Sequence, residues 1–198
     1  MGNILYHREK LFIITKTYPL PSSSYREHSC IAAINDKGEL RRLFPVPYRL
    51  LDQNQQFKRW QWISAKVTKA SDKRQESFRI DTDSIIIEGK QITNWEERFS
   101  IIKNHVIDSF EDLETKRIEK GISLGIIKPY EYELEIEEEK VKDWTEKEIS
   151  NLKKNGLFDS MEIPVKSHTR SGLIRTVRWK NNWLKIFYTK CAKWCGIL

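Results

Sequence analysis

Cys30-Ile-Ala-Ala-Ile-Asn-Asp-Lys-Gly-Glu-Leu-Arg-Arg-Leu-Phe44 decides the fold class. An apolar run ends in Asn35-Asp-Lys-Gly38, turn chemistry in which Gly38 accepts positive φ, and Glu39–Phe44 returns as the partner strand. A hairpin there commits the chain to antiparallel pairing. Upstream, Leu11-Phe-Ile-Ile-Thr-Lys-Thr17 is β-branched and apolar and reads as a buried strand. Pro19, Pro21 and Ser22–Ser24 end it in a loop. Downstream, Pro45-Val-Pro47 stops the second hairpin strand. Tyr48–Phe57 reads as a short helical turn or irregular loop, Arg59–Thr68 as a long strand, and Ser77–Ile80 and Ser84–Ile87 as two shorter ones. Several short strands broken by turn signals predict a curled or barrel-like antiparallel sheet.

The period changes after Ile92. Thr93 with Glu96 three residues on forms a capping box. Trp95, Phe99, Ile102, Val106, Phe110 and Leu113 then recur at helical spacing. One long helix over 94–119, or two with a break near Asp108, is expected, with Gly121 as C-cap. Tyr130-Glu-Tyr-Glu-Leu-Glu-Ile-Glu137 alternates strictly and predicts a strand with a wholly acidic outer face that extends the sheet. Thr145 caps a short helix through about Lys154. The class is α+β: a curled or barrel-like antiparallel sheet packed with one long helix and one short one.

Charge divides the chain of 198 residues into three blocks. Residues 1–80 hold 15 Lys+Arg against 7 Asp+Glu, residues 81–165 hold 12 against 21, and residues 166–198 hold 8 against none. The net +7 is therefore concentrated at the two ends, which would attract a polyanion, while the middle repels one. Residues 1–165 are expected to form one α+β domain. The 166–198 tail differs in composition, with three of the seven tryptophans and two of the three cysteines. It has two readings. One is a basic arm, in which Trp183, Ile186, Phe187 and Cys191 give partial helical periodicity. The other is a disordered segment that a slipped reading frame near residue 165 would leave unselected for folding.

Apolar content of 39% suffices for a core, and no apolar run approaches the roughly 18 residues of a membrane span. Met1–Lys10 lacks a signal-peptide apolar region, so a cytoplasmic address is expected. Cys30, Cys191 and Cys195 are too few for a disulfide scaffold, and no second pair with zinc-finger spacing exists. No cofactor is indicated.

Catalytic signatures are sparse. A metal-dependent nuclease needs carboxylates beside a lysine that assists the attacking water. Glu138-Glu-Lys140, Glu114-Thr-Lys116, Asp81 and Asp83 are short matches of that kind in a chain that is 32% charged. His28 and Cys30 share a strand face, but the thiol sits in an apolar run with no orienting group. Phosphate contact has more support. Arg42, Arg49, Lys58, Arg59 and Arg74 supply cations, and Trp60 and Trp62 share a face as stacking surfaces for unpaired bases. The 72–77 segment also suits a loop that pins Arg74 with a carboxylate.

Lys16-Thr-Tyr-Pro19, Arg42-Leu-Phe-Pro-Val-Pro-Tyr-Arg49 and Asp72-x-Arg74-x-Glu76-Ser77 resemble a family of uncharacterised bacterial proteins over the first four fifths of the chain. The resemblance implies a bacterial origin and a self-contained domain, and carries no activity. The expected function is non-catalytic binding of nucleic acid, DNA or RNA, in a DNA-processing or defence setting. Two alternatives stand beside it. One is a metal-dependent nuclease or nucleotide-modifying enzyme; the other is an interaction subunit whose acidic strand or basic tail meets a protein partner.

Overall fold

A computed structural model describes residues 5–17, 19–72, 74–109, 111–122, 124–127 and 145–151, and the backbone of 110, 134–139, 152–153, 172–179 and 182–186. The strands are β1 (His7–Lys16), β2 (Leu20–Ser22), β3 (Arg26–Asn35), β4 (Leu40–Val46), β5 (Gln61–Lys69) and β6 (Ser77–Glu88), followed by β7 (Val106–Ile107), β8 (Ile126–Ile127), β9 (Leu134–Glu139), β10 (Gly172–Trp179) and β11 (Asn182–Ile186). The helices are α1 (Trp95–Ile102), α2 (Phe110–Lys120) and α3 (Glu146–Lys153).

The sequence-read hairpin is the centre of the structure. β3 and β4 pair antiparallel through Ala33↔Arg41 and Ile31↔Leu43, and Gly38 holds φ 78 in the turn. The sheet then closes on itself. Its order is β1-β5-β6-β4-β3-β2, with β1 also pairing β3, so five strands form a ring and β2 is an appendage on β3. β1 serves two neighbours: His7–Ile13 pairs with β5, and Leu11–Lys16 pairs with β3. A bulge between Ile13 and Thr15 gives it the bend this requires. All ring contacts are antiparallel except β4–β6, a parallel seam through Arg42↔Ser77 and Leu43↔Phe78.

Alternation decides what fills the ring. Leu11, Ile13, Ile31, Ala33, Leu43, Ile63, Ala65 and Val67 point inward and are buried. Leu51 and Phe57, from the connection between β4 and β5, join that core. Near the opposite end, inward-facing Glu9 is buried and bonded in fork fashion by Arg41, with Nε and Nη2 each 2.9 Å from a carboxylate oxygen. Asn35 and Glu39 extend that network.

Several expectations need correction. Ser77–Ile80 and Ser84–Ile87 belong to one strand, because the polar Asp81–Asp83 stretch is an irregularity within β6: the β5 register jumps from Ser64↔Ile86 to Lys66↔Asp81. β4 runs through Pro45 to Val46, with a cis bond after Phe44, and the ladder to β3 skips there, so no N–H is required of the proline. Pro19–Ser24 is not all loop, since Leu20–Ser22 pairs with β3.

The single long helix is not formed; the two-helix alternative, with its break before Ser109, is what the structure has. α1 ends at Ile102, and α2 starts afresh at Ser109, whose Oγ accepts from Asp112 N at 3.0 Å. Asn94, not Thr93, caps α1, accepting from Glu97 N. The apolar stripe does not bury as one face: Leu113 is buried, but no residue of α1 is, and Trp95 and Phe99 are 67% and 50% exposed. Gly121 does cap α2, with φ 67, and Thr145 and Glu148 bond reciprocally at the start of α3.

β9 carries part of the alternating acidic stretch but pairs with β10, in a separate three-stranded sheet with β11, rather than extending the ring. Residues 130–133 of that stretch lie outside the described residues. In the tail, 182–186 is strand, not helix. α3 packs against β2 and β3. Among the described residues, no helix is long and apolar enough to cross a membrane.

Candidate nucleic-acid interface

Residues 58–62 lead into β5 and are pinned on both sides. Lys58 N donates to Gln61 Oε1 at 2.8 Å, and Trp60 N donates to the Ile13 carbonyl of β1 at 2.6 Å. Ile92 N donates to the Trp60 carbonyl, and Gln91 Nε2 to the Arg59 carbonyl. Held this way, Trp60 adopts φ 61, a conformation bulky residues avoid. Its indole lies 6.0 Å from the Phe12 ring and 5.9 Å from the Trp95 ring. The Arg98 guanidinium lies 5.2 Å from Trp60 and 4.8 Å from Trp95, and its Nε donates to the Ile92 carbonyl.

Trp62 sits 5.2 Å from the same Phe12, so both tryptophans share the outer wall of β1 and β5. Phe12 is fully buried beneath them, while both indoles are only partly covered. Lys58 and Arg59 are exposed. Close by, half-buried Lys16 places Nζ 3.0 Å above the centre of the Tyr48 ring. Burial, reinforced by the neighbouring Arg59 charge, pulls the Lys16 pKa down to about 8. Among the described residues, no carboxylate lies within ion-pair distance of Lys16, Lys58, Arg59 or Arg98.

The other three sequence-selected cations are placed elsewhere and carry acid partners. Arg42 is buried on the outer side of the seam, with Nη1 3.2 Å from Ser77 Oγ and 3.8 Å from Asp72 Oδ2. Arg74 Nη2 donates to the same Asp72 oxygen at 3.0 Å, and Ser77 Oγ donates to it at 2.7 Å. Burial alone would raise the Asp72 pKa, but the bonds from Arg74 and Ser77 bring it down to about 2. Arg49 donates from Nε and from its backbone N to Glu27, a carboxylate with no exposed surface. Residues 72–77 thus form the loop that pins Arg74.

Lys58, Arg59, Trp60 and Trp62 therefore come together, whereas Arg42 and Arg74 meet on Asp72 and Arg49 is tied to Glu27. Sequence reasoning missed Lys16 and Arg98 as site cations, and assigned Trp95 to a buried stripe. Arg98 stands three positions after Trp95, a spacing that puts both on one side of a helix and was the available signal. Among the described residues no His, Cys, Asp and Glu cluster of metal-binding disposition occurs. Glu114 forms an exposed pair with Arg117. Asp83 is exposed on the irregular part of β6, and Lys140 lies outside the described residues.

Fold and site define a small closed β-ring bearing a cationic and aromatic outer surface. A family model described as "Domain of unknown function (DUF8758)" matches residues 7–104, from the first residue of β1 to just past α1. The match takes in the whole ring and the Trp95–Arg98 segment, and is shorter than the four fifths of the chain expected from the motifs. No curated protein and no solved structure gives a significant match.

Proposed function

We propose that this protein binds single-stranded nucleic acid non-catalytically, through the outer wall of β1 and β5 and the segment 58–62. The observation that carries the reading is the stack at Trp60. A bulky side chain is held at positive φ between a buried ring and an arginine, beside cations that carry no carboxylate. Flat rings stack on bases irrespective of sequence, and uncompensated cations track the phosphates.

The ring order supports it by analogy. Numbering the ring strands in chain order, the neighbours run 1-2-3-5-4-1 with strands 3 and 5 parallel. That is the arrangement of OB-type barrels, which bind oligonucleotides or oligosaccharides on strands 2 and 3 and the adjoining loops. Here ring strand 2 is β3, and α3 packs against it. The neighbouring wall of β1 and β5 keeps Trp60 and Trp62 partly exposed. In this reading Lys58, Arg59, Lys16 and Arg98 contact phosphate and Trp60 and Trp62 stack. Arg42, Arg49 and Arg74 hold the surrounding loops in place.

Four phosphate contacts on a single strand correspond to a slope of log K against log salt near −0.7 × 4, or about −2.8. Fluorescence anisotropy of a labelled oligo-dT strand and of a matched duplex, from 50 to 200 mM salt, tests the proposal. The single strand should bind more tightly and lose roughly 50-fold in affinity over that range. Absence of binding at the low-salt end, or a slope shallower than about −1, rejects it.

A further inference from the structure

The end of β1 holds an arrangement of charge that the ring itself does not explain. Lys16 is half-buried, in register opposite core residue Ile31, with its ammonium over the Tyr48 ring. Arg59 precedes Trp60, whose N–H is bonded to the Ile13 carbonyl of β1, and its charge adds to burial in depressing the Lys16 pKa. Tyr48 offers this charge its ring face, but among the described residues no carboxylate faces it. The Tyr48 hydroxyl donates to the Phe57 carbonyl at 2.5 Å, and burial raises its pKa, so the phenol stays neutral. Glu27 of neighbouring β3 is committed to Arg49 by two bonds. A partly desolvated ammonium beside a guanidinium, with no acid, is unfavourable on both counts. A bound anion would relieve both.

We infer that Lys16, seated over Tyr48, and the neighbouring Arg59 form a subsite for a phosphate-class oxyanion. The inference deepens the nucleic-acid reading and rests on it for the identity of the anion, a phosphate of the bound strand. A free oxyanion has the same chemistry and is the other source. Occupancy has a signature that ordinary surface lysines lack. With a pKa of about 8, Lys16 is roughly half protonated at pH 8, and an arriving anion draws the proton on. Binding at pH 8 should therefore take up about half a proton from the buffer.

The experiment is calorimetric titration of the full chain at pH 8 in two buffers of different ionisation enthalpy. The probes are inorganic sulfate, which does not titrate there, and an oligo-dT strand. The parent protein should show proton uptake with at least one probe. Lys16→Arg should keep the affinity within about threefold and abolish the uptake, because arginine stays protonated. Lys16→Met should abolish any sulfate binding that the parent shows, and weaken the strand by about tenfold or more, as one charge-assisted contact implies. Uptake with the strand alone assigns the subsite to strand phosphate; uptake with sulfate as well extends it to free oxyanions. Strand binding with no uptake, and indifferent to Lys16→Met, overturns the subsite and leaves the nucleic-acid reading standing. Sulfate binding with uptake but no strand binding does the reverse.

Discussion

Trp60 separates backbone conformation from ring chemistry, because it is held at φ 61 by two backbone bonds while its indole makes the stack. Replacement by Ala removes the ring but leaves a Cβ at positive φ; replacement by Gly removes both. A tryptophan presents 150–250 Å² of surface, and Trp60 is more than half covered, so its burial is worth about 3 kcal/mol at 25 cal/mol per Å². The Arg98 contact adds about 0.5–1 kcal/mol. Trp60→Ala should then cost about 3–4 kcal/mol of stability, an upper estimate given a compact unfolded chain. Positive φ costs a non-glycine residue about 1–2 kcal/mol, and glycine gives back about 0.5–1 kcal/mol in entropy. Trp60→Gly should therefore be the more stable variant by about 0.5–1 kcal/mol, although it removes more atoms. For the strand, the two should be equivalent, each losing the roughly 1–3 kcal/mol of one stacked base. Urea unfolding gives the first comparison and anisotropy on oligo-dT the second. If Trp60→Gly proves less stable than Trp60→Ala, the strain argument fails. If both bind as the parent does, the ring is only packing.

Further outcomes follow from the ion pairs and caps. Glu9→Gln should destabilise by about 3 kcal/mol in urea, since it strips buried Arg41 of its fork and leaves it mainly the exposed Glu39. Burial would raise the Glu9 pKa, but the bonds from Arg41 and His7 outweigh it and lower it below 4.5. Its stabilisation is thus complete above 4.5 and lost as pH falls through the folded value, and Glu9→Gln should flatten that part of an acid-unfolding curve. Asp72, lowered from 3.8 to about 2, behaves likewise between those values. With this carboxylate 35% exposed, Asp72→Asn should cost only about 1 kcal/mol after solvent screening, and should speed amide exchange in 70–77. Gly121→Ala forces a Cβ onto φ 67 and should lower the melting temperature by about 2–4 °C.

What the sequence made legible was local. The 30–44 hairpin could be read because its turn chemistry and both apolar runs are contiguous. The Asp72–Arg74 contact spans two residues and was equally visible. Arg49 and Glu27 are 22 positions apart, and nothing in either neighbourhood announces the pair. β6 misled because Asp81-Thr-Asp83 has the composition of a loop, while the strand accommodates it as an irregularity on its outer side. α1 misled in the opposite sense: Trp95 and Phe99 have the spacing of a buried face, yet the ring is already filled by its own strands and leaves them exposed. The shared face of Trp60 and Trp62 was legible from strand alternation, but the positive φ of Trp60 was not.

Ring closure is where two of the three motifs find their common cause. Four of the five ring contacts are antiparallel ladders, and hairpin or near-hairpin connections account for two of them. The fifth, β4–β6, is parallel and records only two residue pairs, too few to hold the ring by ladder bonds alone. Arg42 N reaches the Glu76 carbonyl beside it, Arg42 Nη1 reaches Ser77, and Asp72 gathers Arg42, Arg74 and Ser77. Lys69 braces the same loop by donating to the carbonyls of Arg74, Gln75 and Ser77. The second and third motifs are thus a polar clasp across the weakest joint, which accounts for cations that a sequence reading assigns to phosphate. Lys16 of the first motif lies instead on Tyr48 of the second and has no acid to meet. Among the described residues, closure uses the positive charge of Arg42 and Arg74 internally and leaves Lys16, Lys58 and Arg59 without a carboxylate, on a stretch of surface that also carries the partly exposed indoles of Trp60 and Trp62.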